Sequence, residues 1–244
     1  MVYKDDSGPL HFIGTGSAFN TALGNNSAYI KRSSTLILFD CGGTVFHRLQ
    51  QLTLLENIKS IYVIITHTHP DHIGSLGDLI FYTYYMLNSK TTVIYPDPSY
   101  IRSLLNYMGV TDDFYEIRNI GGDTSILTAD ITLKLQPVSQ KHADTLECTG
   151  YIGSFDNCSL FYSGDSQEIS EQILVRFKSG EIQYLYQDTC GKDFPQNPHM
   201  YIGKLAQCIV PELRQRVYCM HQDKSFDPQA ARNLGFKVAQ PESF

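Results

Sequence analysis

Apolar and polar positions alternate in short blocks along the chain. Residues 10–13 predict a short strand that ends in Gly14-Thr15-Gly16. Residues 28–31 and 35–39 predict the two strands of a hairpin that turns at 31–34. Residues 45–54 carry apolar positions at helical spacing and predict a helix. Residues 61–65 are an unbroken apolar, β-branched run, the mark of a strand buried on both faces. A helix is expected over 78–87 and a strand over 93–95, stopped by Pro96 and Pro98. A second helix is expected over 99–108, with Ser99 as its cap and Gly109 just past its end. In the second half, strands are expected over 131–136, 149–154, 159–163, 182–187 and 215–219, and helices over 168–177 and 202–210. Two strand-rich halves, each closed by helices, imply an α/β protein with sheets packed on each other and helices outside.

The 244 residues are enough for one large or two small domains, but no repeat, low-complexity tract or linker divides them. A single domain over 1–244 is expected. Hydrophobic residues are 42% and charged residues 18%, which excludes a disordered chain. No apolar run approaches the roughly 18 residues that cross a bilayer, so no membrane partner is expected. Residues 1–9 carry Lys4, Asp5 and Asp6 and no apolar core, so no secretory signal is expected. The formal net charge is −6 and no Lys or Arg run occurs, which disfavours a long nucleic acid as partner. Bound cations would reverse that sign locally. Six cysteines without a CxxC pair read as reduced core thiols of a cytoplasmic protein.

The chemistry concentrates in His67-Thr68-His69-Pro70-Asp71-His72, directly behind the buried run 61–65. Three imidazoles and a carboxylate within six positions do not serve packing. Grouped imidazolium charges repel, and desolvated imidazoles need partners. Nitrogen and carboxylate donors together suit zinc, manganese or iron. A loop just past a strand end points alternate side chains into a cleft. His67 and His69 would then serve one metal, and Asp71 with His72 a neighbouring one. A surface histidine loop is the bland alternative. The strand before the motif, and Gly74 and Gly77 after it, count against that reading.

This HxHxDH run behind a strand resembles the signature of the metallo-β-lactamase superfamily, and the resemblance extends over nearly the whole chain. The family's later ligands have matching positions in the right order. They are His142 in Lys141-His142-Ala143-Asp144, Asp165 in Ser163-Gly164-Asp165-Ser166, and His221 in Val217-Tyr218-Cys219-Met220-His221. The resemblance implies an αββα four-layer sandwich and two divalent ions, zinc first and manganese second. It implies His67, His69 and His142 on one ion, Asp71, His72 and His221 on the other, and Asp165 bridging both. A shared carboxylate reduces the repulsion between neighbouring dications, and two cations suit in-line attack on phosphorus.

His11 and His47 lie outside this pattern and read as structural or surface residues. His199 differs. It stands in Asn197-Pro198-His199-Met200, just before the expected helix at 202–210. That position resembles the histidine-bearing loop of the superfamily's phosphodiesterase branch, which includes ribonuclease Z. The resemblance implies that His199 protonates the leaving alkoxide. The expected catalytic positions are Asp71 and His199. The preceding strand reads Tyr184-Leu185-Tyr186-Gln187-Asp188-Thr189, with Gln187 where ribonuclease Z-like sequences carry Glu. Asp188 or another group must then hold His199. Gly14-Thr15-Gly16-Ser17 resembles the family's first motif. A dinucleotide loop is excluded there, because the third glycine would fall on Phe19. Asn25-Asn26-Ser27 and Asp40-Cys41-Gly42-Gly43 match family turns and are expected to shape the cleft floor. Phe81-Tyr82-Thr83-Tyr84-Tyr85-Met86 reads as core packing, a dimer face or a base-stacking edge.

Ribonuclease Z enzymes that process transfer RNA carry a long arm between the third-motif histidine and the bridging aspartate. Here His142 and Asp165 stand 23 positions apart, and two expected strands fill the interval. No arm fits. What remains is a short diester, a cyclic nucleotide or related cyclic phosphate, hydrolysed to a nucleoside monophosphate. The chain resembles the compact cyclic-nucleotide phosphodiesterases of this fold, a set that includes phage anti-Pycsar proteins. Ribonuclease Z-type RNA processing is the alternative. A thioester or lactam hydrolase would have no use for the His199 loop. A silent metal-binding protein would have lost ligands, and all seven positions are filled. The resemblance and the exposed-looking Tyr82, Tyr84 and Tyr85 also imply a homodimer.

Overall fold

The computed structural model describes residues 8–121 and 124–243, so Lys4, Asp5 and Asp6 and the signal-segment expectation that rests on them lie outside the described residues. Among those described, β1 (His11–Gly14), β2 (Ser27–Arg32), β3 (Thr35–Phe39), β4 (Ser60–Ile64), β5 (Thr91–Tyr95) and β6 (Tyr115–Asn119) form one sheet in chain order. A second sheet holds β7 (Thr124–Leu127), β8 (Thr132–Gln140), β9 (Cys148–Phe155), β10 (Cys158–Tyr162), β11 (Tyr184–Asp188), β12 (Val217–Met220) and β13 (Lys237–Val238), again in sequence order. Each sheet opens with antiparallel hairpins and then turns parallel, from β3 to β6 and from β10 to β13. Parallel neighbours need crossovers. Helices α1 (Val45–Gln51), α2 (Pro70–Ile73), α3 (Leu76–Leu87) and α4 (Pro98–Tyr107) supply them in the first sheet. Helices α5 (Glu171–Lys178), α6 (Ile202–Cys208) and α7 (Pro228–Asn233) supply them in the second.

Side-chain alternation along each strand sorts the apolar residues into three layers. On β3 and β4, Leu36, Leu38, Ile61 and Val63 face α1, α3 and α4, while Ile37, Phe39, Tyr62 and Ile64 face the other sheet. On β11 and β12, Leu185, Val217 and Cys219 pack under α5 and α6, while Tyr186, Tyr218 and Met220 fill the space between the sheets. Both faces of the central strands are covered, which is why residues 61–65 read as a continuous apolar run. Burying such a side chain contributes about 1.5–3 kcal/mol, so neither face tolerates a polar replacement cheaply. The order is therefore helices, sheet, sheet, helices, as expected. Asp130 ties the two sheets at one end, accepting from Thr35 Oγ1 (2.6 Å) and the Ser34 N–H (3.0 Å).

Several boundaries differ from expectation. Asp97, not Ser99, caps α4: its carboxylate accepts from the Ser99 N–H, and Pro98 occupies the first turn. Strand β8 runs on to Gln140, past the expected stop at 136, because Pro137 to Gln140 continue the pairing with β9. The helix expected over 168–177 begins at Glu171, with Ser170 accepting from the Ile173 N–H. Strands β6, β7 and β13 were not expected. β6 turns Glu116 and Arg118 to solvent, as edge strands do, β7 is a four-residue edge strand that exposes Ser125 and Leu127, and β13 is only two residues long. Cys41, Cys148, Cys158, Cys190 and Cys219 are buried and Cys208 is half-buried.

Candidate metal centre

The parallel strands of both sheets end on the same edge, and the loops beyond them hold the donors. His67, His69, Asp71 and His72 follow β4, Asp165 follows β10, Asp188 ends β11, and His221 follows β12. His142 lies just past β8. Loops at the carboxyl ends of strands are where α/β sheets build sites. Here the two packed sheets deliver such loops to one cleft.

The expected residues meet there in two groups. His67, His69, His142 and Asp165 offer one set of ligand atoms, and Asp71, His72, His221 and Asp165 the other. In the first, His67 Nε2 is 3.0 Å from His69 Nδ1 and His142 Nε2 is 3.4 Å from it. Asp165 Oδ2 lies 3.8 Å from His67 Nε2 and 3.6 Å from His142 Nε2. In the second, Asp165 Oδ1 lies 3.2 Å from His72 Nε2 and 3.4 Å from His221 Nε2. Asp71 Oδ2 is 3.4 Å and 3.3 Å from the same two nitrogens. Asp165 thus turns one oxygen to each group.

Residues behind the cluster fix its imidazoles. His72 Nδ1 donates to Asp40 Oδ2 at 2.8 Å, and His142 Nδ1 donates to the Pro198 carbonyl at 3.1 Å. Thr66 Oγ1 donates to Asp40 Oδ2 at 2.8 Å and stands 3.0 Å from His67 Nδ1. With Nδ1 held from behind, His67, His72 and His142 each turn Nε2 toward the cleft, the nitrogen that a neutral ring would offer to a metal. Asp40 also accepts the Thr66 N–H at 2.7 Å. It reaches this position with φ at 66°, and His221 has φ at 54°. Both are left-handed conformations that cost a non-glycine residue about 1–2 kcal/mol. The sequence marked Asp40 only as part of a turn and did not mark Thr66 or Pro198. The available signal was an aspartate at the end of a strand paired to the motif-bearing one.

The electrostatics follow from crowding. Burial and the neighbouring His72 imidazole push His67 well below its ordinary pKa, and burial with His142 lowers His69. Burial opposes charge on His72 too, but Asp165 and Asp40 hold it well above its usual range. His221 is raised to about 10 against burial by Asp165 and Asp188. Burial would raise Asp165 and Asp71, yet His221 and His72 keep both below the ordinary carboxylate range. The donor set fits divalent cations. Ionised carboxylates and imidazole nitrogens are its chemistry, and His72 Nε2 and Asp165 Oδ1 are buried without an aligned hydrogen bond.

His199 joins the cleft from the loop before α6. Its Nδ1 donates to Asp188 Oδ2 at 2.7 Å. Asp188 Oδ2 also accepts the Ser166 N–H at 2.9 Å, and its Oδ1 lies 3.3 Å from His221 Nδ1. Asp188 is therefore the partner of His199, and Gln187 is not, because the Gln187 amide turns to the Asp188 carbonyl. Burial lowers the His199 pKa, and Asp188 more than reverses this, so the ring favours its protonated form. His11 pairs with Glu242 at the surface and His47 is exposed on α1, as expected of residues outside the site. The aromatic run of α3 does not line this cleft. Phe81, Tyr84 and Tyr85 group around Phe114, and Tyr82 packs on Phe46, which removes the base-stacking reading for that helix. A cleft of about 860 Å³ opens over the cluster, lined by His69, Asp71, His142, Asp165, His199 and His221 among others.

The family described as Anti-Pycsar protein Apyc1 matches residues 9–242. The chain belongs to the Apyc1 family. Anti-Pycsar protein Apyc1 from Paenibacillus harenae is 27% identical over 246 residues, covering 96% of this chain and 97% of the relative. The Apyc1 protein of Bacillus phage BSP38 is 27% identical over 232 residues, covering 87% and 88%. In three dimensions the chain is similar to the metallo-β-lactamase fold protein YhfI from Bacillus subtilis. That match has a TM-score of 0.72 at 15% identity, over 96% of this chain and 97% of that one. A diphosphatase from the PhnP family matches with a TM-score of 0.72 at 16% identity, over 96% and 95%. Zn²⁺-bound PqqB from Methylobacterium extorquens matches with 0.70 at 12% identity, over 96% and 98%. The αββα sandwich of this Apyc1-family chain is thus the metallo-β-lactamase fold. No helix among its described residues is long and apolar enough to cross a membrane.

Proposed function

We propose that this protein is a phosphodiesterase that hydrolyses small cyclic phosphodiesters, cyclic mononucleotides above all, to nucleoside monophosphates. It would do so with two divalent cations, zinc first and manganese second. His67, His69 and His142 would hold one, Asp71, His72 and His221 the other, and Asp165 both. The observation that carries this reading is Asp165, whose two oxygens face two separate donor groups. Membership of the Apyc1 family supports a cyclic-nucleotide substrate. So does the short β9–β10 hairpin between His142 and Asp165, which leaves no arm to grip a folded RNA.

Bound divalent cations supply charge neutralisation at the phosphate and a water acidified toward neutral pH. The chain's own residues do the rest. Asp71, ionised beside His72 and His221, is positioned to accept a proton at the inner wall. Water adds to phosphorus, the ring P–O bond breaks, and the ribose oxygen leaves with the electron pair. His199 gives that oxygen its proton, and Asp188 orients the ring and stabilises its charge.

A hydrolysis panel of cyclic mononucleotides, 2′,3′-cyclic phosphates, precursor transfer RNA and a thioester tests this. Cyclic mononucleotides should be turned over fastest. Cleavage of precursor transfer RNA in preference would transfer the site to ribonuclease Z-type processing, and thioester cleavage alone would refute phosphoryl chemistry. The same reading includes a homodimer through α3, where Tyr85 and Met86 are 65% and 69% exposed and Tyr82 and Tyr84 are half-buried. Sedimentation at micromolar concentration should give twice the 27.6 kDa chain mass, and a monomer alone would contradict it.

A further inference from the structure

The cleft is lined by two chemically distinct sets of groups. One is the donor cluster around Asp165. The other includes Phe19 and Phe194. Phe19 lies on the turn between β1 and β2, and Phe194 on the loop between β11 and α6 that also carries His199. Phe19 is 84% exposed and Phe194 53% exposed. Rings so exposed add little to the core, so folding does not account for them. Single exposed apolar residues are ordinary, but these two come from separate segments and line the same cleft as the donor cluster. The Phe194 loop is anchored. Its Phe194 carbonyl accepts the Asn197 N–H at 3.1 Å, and the buried Asn197 amide donates to Cys190 Sγ and the Lys192 carbonyl, both at 3.2 Å.

A cyclic mononucleotide presents a charged phosphate at one end and a planar, poorly hydrated base at the other. The cluster answers the first, and an aromatic face answers the second. We propose that Phe19 and Phe194 form the base-recognition surface of this site and stack the nucleobase of a substrate whose phosphodiester lies at Asp165. This rests on the phosphodiesterase reading and adds the groups that select a nucleotide over a bare phosphodiester. Every base has a π-face, so stacking tolerates many bases. The surface therefore accepts purines and pyrimidines alike, with affinity following stacking strength.

The test is calorimetric binding of adenosine 5′-monophosphate and ribose 5-phosphate to cation-loaded protein, in wild type, Phe19→Ala, Phe194→Ala and Phe19→Tyr. Wild type should bind the nucleotide tighter by about 5- to 150-fold, the range that stacking supplies. Each alanine variant should lose much of that preference while its affinity for ribose 5-phosphate stays the same. Phe19→Tyr should keep the preference, and all variants should melt with wild type because the rings are exposed. Alanine variants that retain the full preference, or weaken both ligands equally, would overturn the proposal. So would a wild type that binds the two ligands alike or not at all. Cyclic-nucleotide hydrolysis on the same wild-type sample separates the two readings. Preference without hydrolysis leaves the aromatic surface and removes the reaction, whereas hydrolysis without preference removes the surface alone.

Discussion

Asp165→Asn should empty the centre and lower cyclic-nucleotide turnover by several orders of magnitude. The substitution keeps the side-chain shape at a buried position and removes one negative charge. Among the described residues, Asp165 alone is common to every donor group of the site. Without its charge, the six remaining ligands divide into a purely imidazole set and a set with only Asp71 as carboxylate. Two dications held there would repel with less compensation. Loss of an outer hydrogen-bond partner of a metal ligand costs roughly 10- to 100-fold in affinity or activity. Loss of a ligand shared by two cations should exceed that. Elemental analysis together with kcat on cyclic adenosine monophosphate measures both effects. A variant with near-normal metal content and rate would show that Asp165 is not shared.

His199→Ala should leave the metal content and the fold unchanged and lower kcat on a cyclic nucleotide by roughly 10²- to 10⁴-fold. The leaving ribose alkoxide is a strong base and needs a proton as the P–O bond breaks. On the proposed mechanism His199 supplies it; its Nδ1 is committed to Asp188 at 2.7 Å and the ring lines the cleft. The loss should be far smaller on bis(p-nitrophenyl) phosphate, because nitrophenolate leaves without protonation. Equal losses on the two substrates would mean that His199 positions substrate or supports the loop. A fall in metal content would make it a ligand instead.

The site was more legible in the sequence than the fold around it. His67 to His72 stood together behind an unmistakable strand, and His142, Asp165 and His221 followed in family order. Periodicity found the central strands because both their faces are buried. It missed β6, whose Tyr115-Glu116-Ile117-Arg118-Asn119 is half polar, because an edge strand has one wet side. The supporting residues were the least legible. Asp40 acts through a left-handed turn that brings its carboxylate to Thr66 and His72, a long-range closure with no local signal. Asp188 was one of two options beside Gln187. Strand alternation decides between them: Tyr186 and Asp188 share a side of β11, Tyr186 in the core between the sheets and Asp188 at the cleft.

On the proposed reading, the Asp165 cluster hydrolyses cyclic nucleotides with two divalent cations. The most direct test is turnover of cyclic adenosine monophosphate by chelator-stripped protein, followed as zinc is added in fractions of an equivalent per chain. No product is expected at the start, then a rise with added zinc and a plateau at two equivalents. Turnover that survives stripping, or a plateau already reached at one equivalent, would contradict that reading.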